Sequence, residues 1–145
     1  MATSTYFKEL AANALYLKST VLPEQLFLAL SKRNPGEDGV NFREPEIGEG
    51  GYEREEITAK MLKDADNGVV KNCKKIQFKE SITDWGTMKY WGLYDEATGG
   101  HLLQWNRLNP HRCCEEGTTL YLEPDKLELS IVDLPEVKLP VDDAA

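Results

Sequence analysis

Short apolar runs separated by turn-forming residues recur along this chain, and that pattern constrains the fold more than any other feature. Gln25-Leu26-Phe27-Leu28-Ala29-Leu30-Ser31 lies between Pro23 and the turn-rich Asn34-Pro35-Gly36-Glu37-Asp38-Gly39. A run so short and so apolar reads as a central strand. A loop with Pro45, Gly48, Gly50 and Gly51 leads into Tyr52 to Thr58, which reads as an exposed strand. Asp66-Asn67-Gly68 is a tight-turn signal and predicts a hairpin. Val69 to Phe78 alternates loosely, and Ile82 to Tyr94 carries Trp85, Met88, Tyr90, Trp91, Leu93 and Tyr94, the densest aromatic stretch and a candidate core. Ala97-Thr98-Gly99-Gly100 then turns the chain into His101-Leu102-Leu103-Gln104-Trp105, predicted to pair with the strand before it. Thr118 to Leu122, and Lys126 to Val132 with Leu127, Leu129 and Ile131 alternating, give two further strands.

One segment breaks this rhythm. From Thr3 to Ser19, Phe7, Leu10, Ala14 and Leu17 fall on one helical stripe, widened by Tyr6, Ala11 and Leu15. Ser4 or Thr5 can serve as its N-cap, and Pro23 bars continuation. The stripe either packs on the domain's own sheet or docks onto a neighbouring subunit. Strands at short intervals with a single leading helix predict a mainly β fold, an antiparallel β-sandwich of about seven or eight strands, immunoglobulin-like or jelly-roll-like. A small barrel shares the same pattern. The chain's 145 residues suit one domain. We place it over residues 1–134, helix 3–19 included, with an extended tail over 135–145.

Charge and motif content exclude several functions. Seventeen basic against 25 acidic residues leave a net charge of −8, unsuited to gripping a phosphate backbone, so nucleic acid is not an expected partner. Lys71, Lys74, Lys75 and Lys79 cluster around Cys73 but divide between the faces of an alternating strand, as a solvated surface does. No stretch approaches ~18 consecutive apolar residues, and Lys8 and Glu9 stand where a leader peptide places its apolar region. No membrane association is expected.

Cys73, Cys113 and Cys114 form no CxxC pair and no zinc spacing with His101 or His111, so three free thiols are expected. Cys113 or Cys114 with His101 carries no nucleophile signature, and His111, after Pro110, reads as a surface loop residue. Glu44, Glu46, Glu49, Glu53, Glu55 and Glu56 crowd one region without showing the separation a glycosidase needs. Asp38-Gly39 lacks calcium-loop spacing. Gly50-Gly51 and Gly99-Gly100 belong to no phosphate-binding motif and read as turn glycines. We therefore expect no catalytic residue, no cofactor and no metal.

Three segments together carry a resemblance. They are Leu26-Phe27-Leu28-Ala29-Leu30 followed by the Asn34 to Gly39 loop; Glu46-Ile47-Gly48-Glu49-Gly50-Gly51-Tyr52-Glu53-Arg54; and Ile82 to Leu103, with Trp85-Gly86 and Asp95-Glu96-Ala97-Thr98-Gly99-Gly100. In this order, over about residues 10 to 131, they resemble a family of small tailed-phage proteins labelled tail fibre or minor tail protein. Glu53 stands where that family has a small residue. The resemblance implies a non-enzymatic virion component, assembled in the host cytoplasm with other virion proteins. We expect a tail, baseplate or tail-fibre-associated subunit present as a homo-oligomer, a trimer or ring. Head decoration, head-fibre or collar protein is the alternative. From another class comes a host receptor or carbohydrate-binding module, in which an exposed Trp105 or Tyr52 would stack on a sugar, where core packing is the plainer role for both. The residues to locate are the helix face Phe7, Leu10, Ala14 and Leu17, as a docking surface, and Trp85, Gly86, Asp95, Gly99 and Gly100, as the residues that define the hairpin.

Overall fold

A computed structural model describes residues 2–18 and 21–130. In chain order its elements are β1 (Ala2–Thr3), α1 (Thr5–Leu15), β2 (Leu26–Ser31), β3 (Glu55–Ile57), β4 (Val69–Lys71), β5 (Ile76–Gln77), β6 (Gly86–Tyr94), β7 (Leu102–Cys114), β8 (Tyr121–Leu122) and β9 (Glu128–Ser130). Five strands form one antiparallel sheet in the order β1-β7-β6-β2-β3, and β4-β9 and β5-β8 form two-stranded ribbons. The fold is mainly β and antiparallel, as the turn spacing predicts. The sequence suggests a central strand at residues 25–31, and β2 does lie between β6 and β3. The expected tail over 135–145, and Ile131 and Val132 of the last predicted strand, fall outside the described residues.

The ribbons cover one face of the sheet and close a single apolar core. Leu28, Leu30, Met88, Trp91, Leu93, Leu108 and Cys114 from the sheet meet Ile76, Phe78, Leu120, Leu122, Leu127 and Leu129 from the ribbon side. The arrangement is sandwich-like, with its second layer assembled from ribbons. Each fully buried Leu or Ile here stabilises the fold by about 1.5–3 kcal/mol through water released from apolar surface.

The strand count exceeds the expectation at two places. The loose alternation of Val69 to Phe78 breaks at Asn72, fully buried, whose amide donates to the carbonyls of Lys74 (2.7 Å) and Glu123 (2.9 Å) and accepts from Leu127 N (2.9 Å). One buried amide thus separates β4 from β5 and sends them to different partners. The other extra strand lies ahead of the helix, where Ala2 and Thr3 pair with Trp105 and Gln104. The helix is accordingly shorter than 3–19. Ser4 caps it, accepting from Phe7 N at 3.2 Å, and the chain leaves helical geometry at Leu17, which has φ +64°.

Two strand readings need correction. Tyr52 does not belong to an exposed strand: it is fully buried, and only Glu55–Ile57 pairs with β2. His111 does not sit in a loop, because β7 runs through the cis Asn109–Pro110 bond to Cys114. Met88 faces Arg112 and Tyr90 faces Arg107, so four residues of β7, Leu108 to His111, stand opposite Lys89. A bulge of this kind accommodates a proline that an unbroken ladder excludes. Met88 and Trp91, three residues apart on β6, both lie in the core.

Candidate functional site

The three resembling segments, distant in sequence, converge where the β6–β7 hairpin emerges from the sheet. Arg54 is the centre of that junction. Its guanidinium makes a bidentate pair with Glu44, Nη2 to Oε2 at 2.6 Å and Nε to Oε1 at 3.2 Å. Its Nη1 donates to the carbonyls of Glu96 and Gly99 in the hairpin turn, each at 2.8 Å. The guanidinium carbon lies 3.7 Å from the centre of the Tyr94 ring, which packs edge-on against Phe42. With the Arg54 side chain 3% exposed and that of Glu44 16%, the charges are largely withdrawn from water and satisfied by each other and by the turn.

Tyr52 extends the network into the sheet. Its hydroxyl donates to Glu44 Oε1 at 2.7 Å and accepts from Leu30 N at 3.1 Å, and its ring packs edge-on to Trp85. Burial, followed by the Glu44 charge, pushes its ionisation well above the usual tyrosine range. Tyr94 is pushed up to about 12 by the same two causes.

Of the sequence-predicted hairpin residues, Trp85, Asp95, Gly99 and Gly100 sit in or beside this junction, whereas Gly86, opposite Cys114, opens β6 at the other end of the hairpin. Trp85 is buried, and its Nε1 donates to Gly50 O at 2.9 Å. Gly86 N donates to Asp84 Oδ1 at 2.7 Å as β6 begins. Asp95 Oδ1 accepts from His101 N at 2.7 Å, closing the turn, while Oδ2 lies 3.2 Å from His101 Nδ1. Gly99 and Gly100 both have positive φ, and a Cβ on Gly100 would lie 2.5 Å from Asp95 Oδ1. Gly92, mid-strand, lies against Phe42, whose ring would be 2.4 Å from an added Cβ. The loop covering the sheet's second face can thus lie flat on it.

The predicted helix face divides. Phe7, Leu10 and Ala14 are half-buried, whereas Leu17 is 92% exposed and lies beyond the helix end. Around Leu17 the exposed residues are Leu15, Tyr16, Val21 and Leu22. No residue of α1 is fully buried. Three contacts hold the base of the helix to the body: Ser4 N to Leu103 O (2.8 Å), Thr5 N to Asp38 Oδ1 (2.6 Å), and a parallel stack of Tyr6 on His101 with centroids 3.8 Å apart. The Asp38 carboxylate also complements the positive end of the helix dipole.

The remaining candidates do not assemble. Cys73 and Cys113 are exposed and Cys114 is buried, all three as free thiols. Burial, then the neighbouring Cys113, raises the Cys114 thiol to about 11, which suits an inert core residue. Among the described residues no group of three or more His, Cys, Asp and Glu side chains could hold a metal ion. Glu44 is committed to Arg54, and Glu53 pairs with Lys79. Burial raises the carboxyl of Glu55. Trp105 is 7% exposed and Tyr52 fully buried, so neither offers a face to a sugar. Sequence reasoning missed Arg54 and Glu44, although Arg54 stands alone among Glu53, Glu55 and Glu56, where an isolated base signals a pairing partner.

The polar chemistry at this junction fastens the chain's own loops, which is the chemistry of a small β-rich structural domain. Residues 2–130 match the family described as podophage GP4 fiber I protein gp80, and the chain belongs to that family of phage fibre structural proteins. No curated protein shows a significant match to it.

Proposed function

We propose that the chain is a non-enzymatic building block of a phage virion. It is a tail- or tail-fibre-associated subunit that assembles in multiple copies with other virion proteins and docks through the C-terminal end of α1. The family supports a fibre role over head decoration. The observation that carries the docking surface is the exposed apolar cluster Leu15, Tyr16, Leu17, Val21 and Leu22 on a segment with no buried helical residue. Clustered exposed apolar side chains are the usual mark of an interaction surface. Leu17 keeps its place in the predicted docking face, while Phe7, Leu10 and Ala14 serve chiefly to seat the helix.

The test is a Leu15→Asp/Leu17→Asp double variant supplied to assembling particles. Incorporation is expected to be lost while the purified protein keeps the wild-type melting temperature. Normal incorporation overturns the docking surface. Sedimentation of the purified wild-type chain as a monomer at all concentrations, with a single copy per particle, overturns assembly in multiple copies.

A further inference from the structure

We propose that the β7 bulge forms a binding groove for an anionic sugar, a saccharide unit bearing a carboxylate or a phosphate. β1 covers the outer edge of β7 only at Gln104 and Trp105, so beyond Trp105 that edge carries no partner strand among the described residues. The bulge opens a groove there of about 320 Å³, floored by Trp91 and Leu122 and rimmed by Asn106, Arg107, Asn109 and Lys126. It continues over the same bulge into a second, more open hollow that reaches His111. The volume lies at the lower end of the ~300–1,000 Å³ range of small-molecule sites.

Several polar groups of the rim are uncommitted. Among the described residues neither Arg107 nor Lys126 is in a salt bridge, although Lys126, after Lys63, helps to hold the Asp125 carboxyl below its usual range. Asn106 uses only its Oδ1, on Arg107 N at 2.8 Å, and the Asn109 side chain makes no hydrogen bond among the described residues. Trp91 is 4% exposed, and its indole N–H is likewise without a partner there. Three cationic groups, Arg107, Lys126 and Arg112 (whose Nη1 donates to Tyr121 O at 3.1 Å), outnumber the two carboxylates Glu123 and Glu128 and suit an anion, and an Arg fork suits a planar carboxylate or a phosphate. Amide groups that donate and accept suit hydroxyls. Glu123 and Glu128 on the far rim add acceptors for sugar hydroxyls, with Glu128 held at 3.5 Å by Lys71.

The same edge is unsuited to the competing occupant, an added β-strand from a partner protein. Pro110 offers no N–H, and the bulge breaks the ladder at Leu108 to His111. A small polar ligand meets neither obstacle.

The test uses the full chain and amide-resolved NMR titration with three probes: trigalacturonate, glucose 1-phosphate and the neutral maltotriose. Saturable shifts are expected at Asn106, Arg107, Asn109 and the Trp91 indole with trigalacturonate or glucose 1-phosphate, and whichever binds tighter identifies the anion. Arg107→Ala/Lys126→Ala should weaken that binding about tenfold or more, the loss of one or two charge-assisted bonds, at an unchanged melting temperature. Absence of binding by both anionic probes overturns the proposal. So does undiminished binding in the double variant, or maltotriose binding as tightly as the acids.

Discussion

The hairpin junction and the N-terminal helix of this chain are fastened in opposite ways. At the junction, one guanidinium spans Glu44, the turn carbonyls of Glu96 and Gly99, and the Tyr94 ring, and a buried tyrosine continues the network to Leu30. The helix is seated at its base by a capping serine, a loop carboxylate and one stacked ring pair, and it buries no residue fully. Loops that must stay in place are held by charges removed from water, which are costly to leave unpaired. The helix keeps the apolar groups at its C-terminal end outside and rests on contacts that cost little to rearrange.

The strongest way to break this contrast is to remove the guanidinium. Arg54→Met strands the Glu44 carboxylate and both turn carbonyls, and urea unfolding should show a loss of about 3–5 kcal/mol. A loss under 1 kcal/mol would mean that the junction is ornamental and the two regions are alike. Gly100→Ala comes next: it combines positive φ with a close approach to Asp95, and should cost about 1–3 kcal/mol by the same measurement. Tyr52→Phe, which removes a hydroxyl bonded to Glu44 and Leu30, should cost about 1–3 kcal/mol.

Alkali sharpens the comparison further. In the unfolded chain Tyr52 and Tyr94 ionise near 10.0, whereas in the fold Tyr94 keeps its proton to about 12 and Tyr52 is also raised. Their contribution is therefore whole below pH 10 and is lost as the pH climbs from 10 towards 12, because the unfolded state releases protons that the fold retains. Circular dichroism should show stability falling in that window, and Tyr52→Phe should flatten the fall. The smallest effect belongs to the helix. Leu17→Asp should change global stability by less than about 0.5 kcal/mol, and α1 amides should exchange with deuterium well before those of β6 and β7. Equal protection of α1 and β7 would erase the distinction between the two regions.

What the sequence made legible follows the range of its signals. β2, the Gly99-Gly100 turn and the β6–β7 hairpin rest on runs and turns that are local, and all are present. The ribbons were harder to read because β5 and β8 are two residues each, too short to show a period, and a buried Asn72 decides where β4 stops. The sequence suggests a strand ending at Trp105 and a loop at Pro110 and His111, since a bulge depends on the partner strand and leaves no local mark. Arg54 and Glu44, ten residues apart in an acidic stretch, looked like hydrated surface, and only the turn 42 to 45 residues further on gives the arginine its place. At the helix, the periodic stripe was legible, but its stop at Leu17 has no glycine to announce it.

Gln104 has a consequence for how the molecule is made. Its amide bonds both the Thr3 hydroxyl and the Ser130 carbonyl, so the two extremities of the described fold are clasped by one side chain. During synthesis β1 waits for a partner about a hundred residues downstream. Throughout that wait the apolar end of α1 has no finished sheet beside it. The clasp therefore closes only after the chain has been made as far as Ser130, when nearly all of the described fold has been translated.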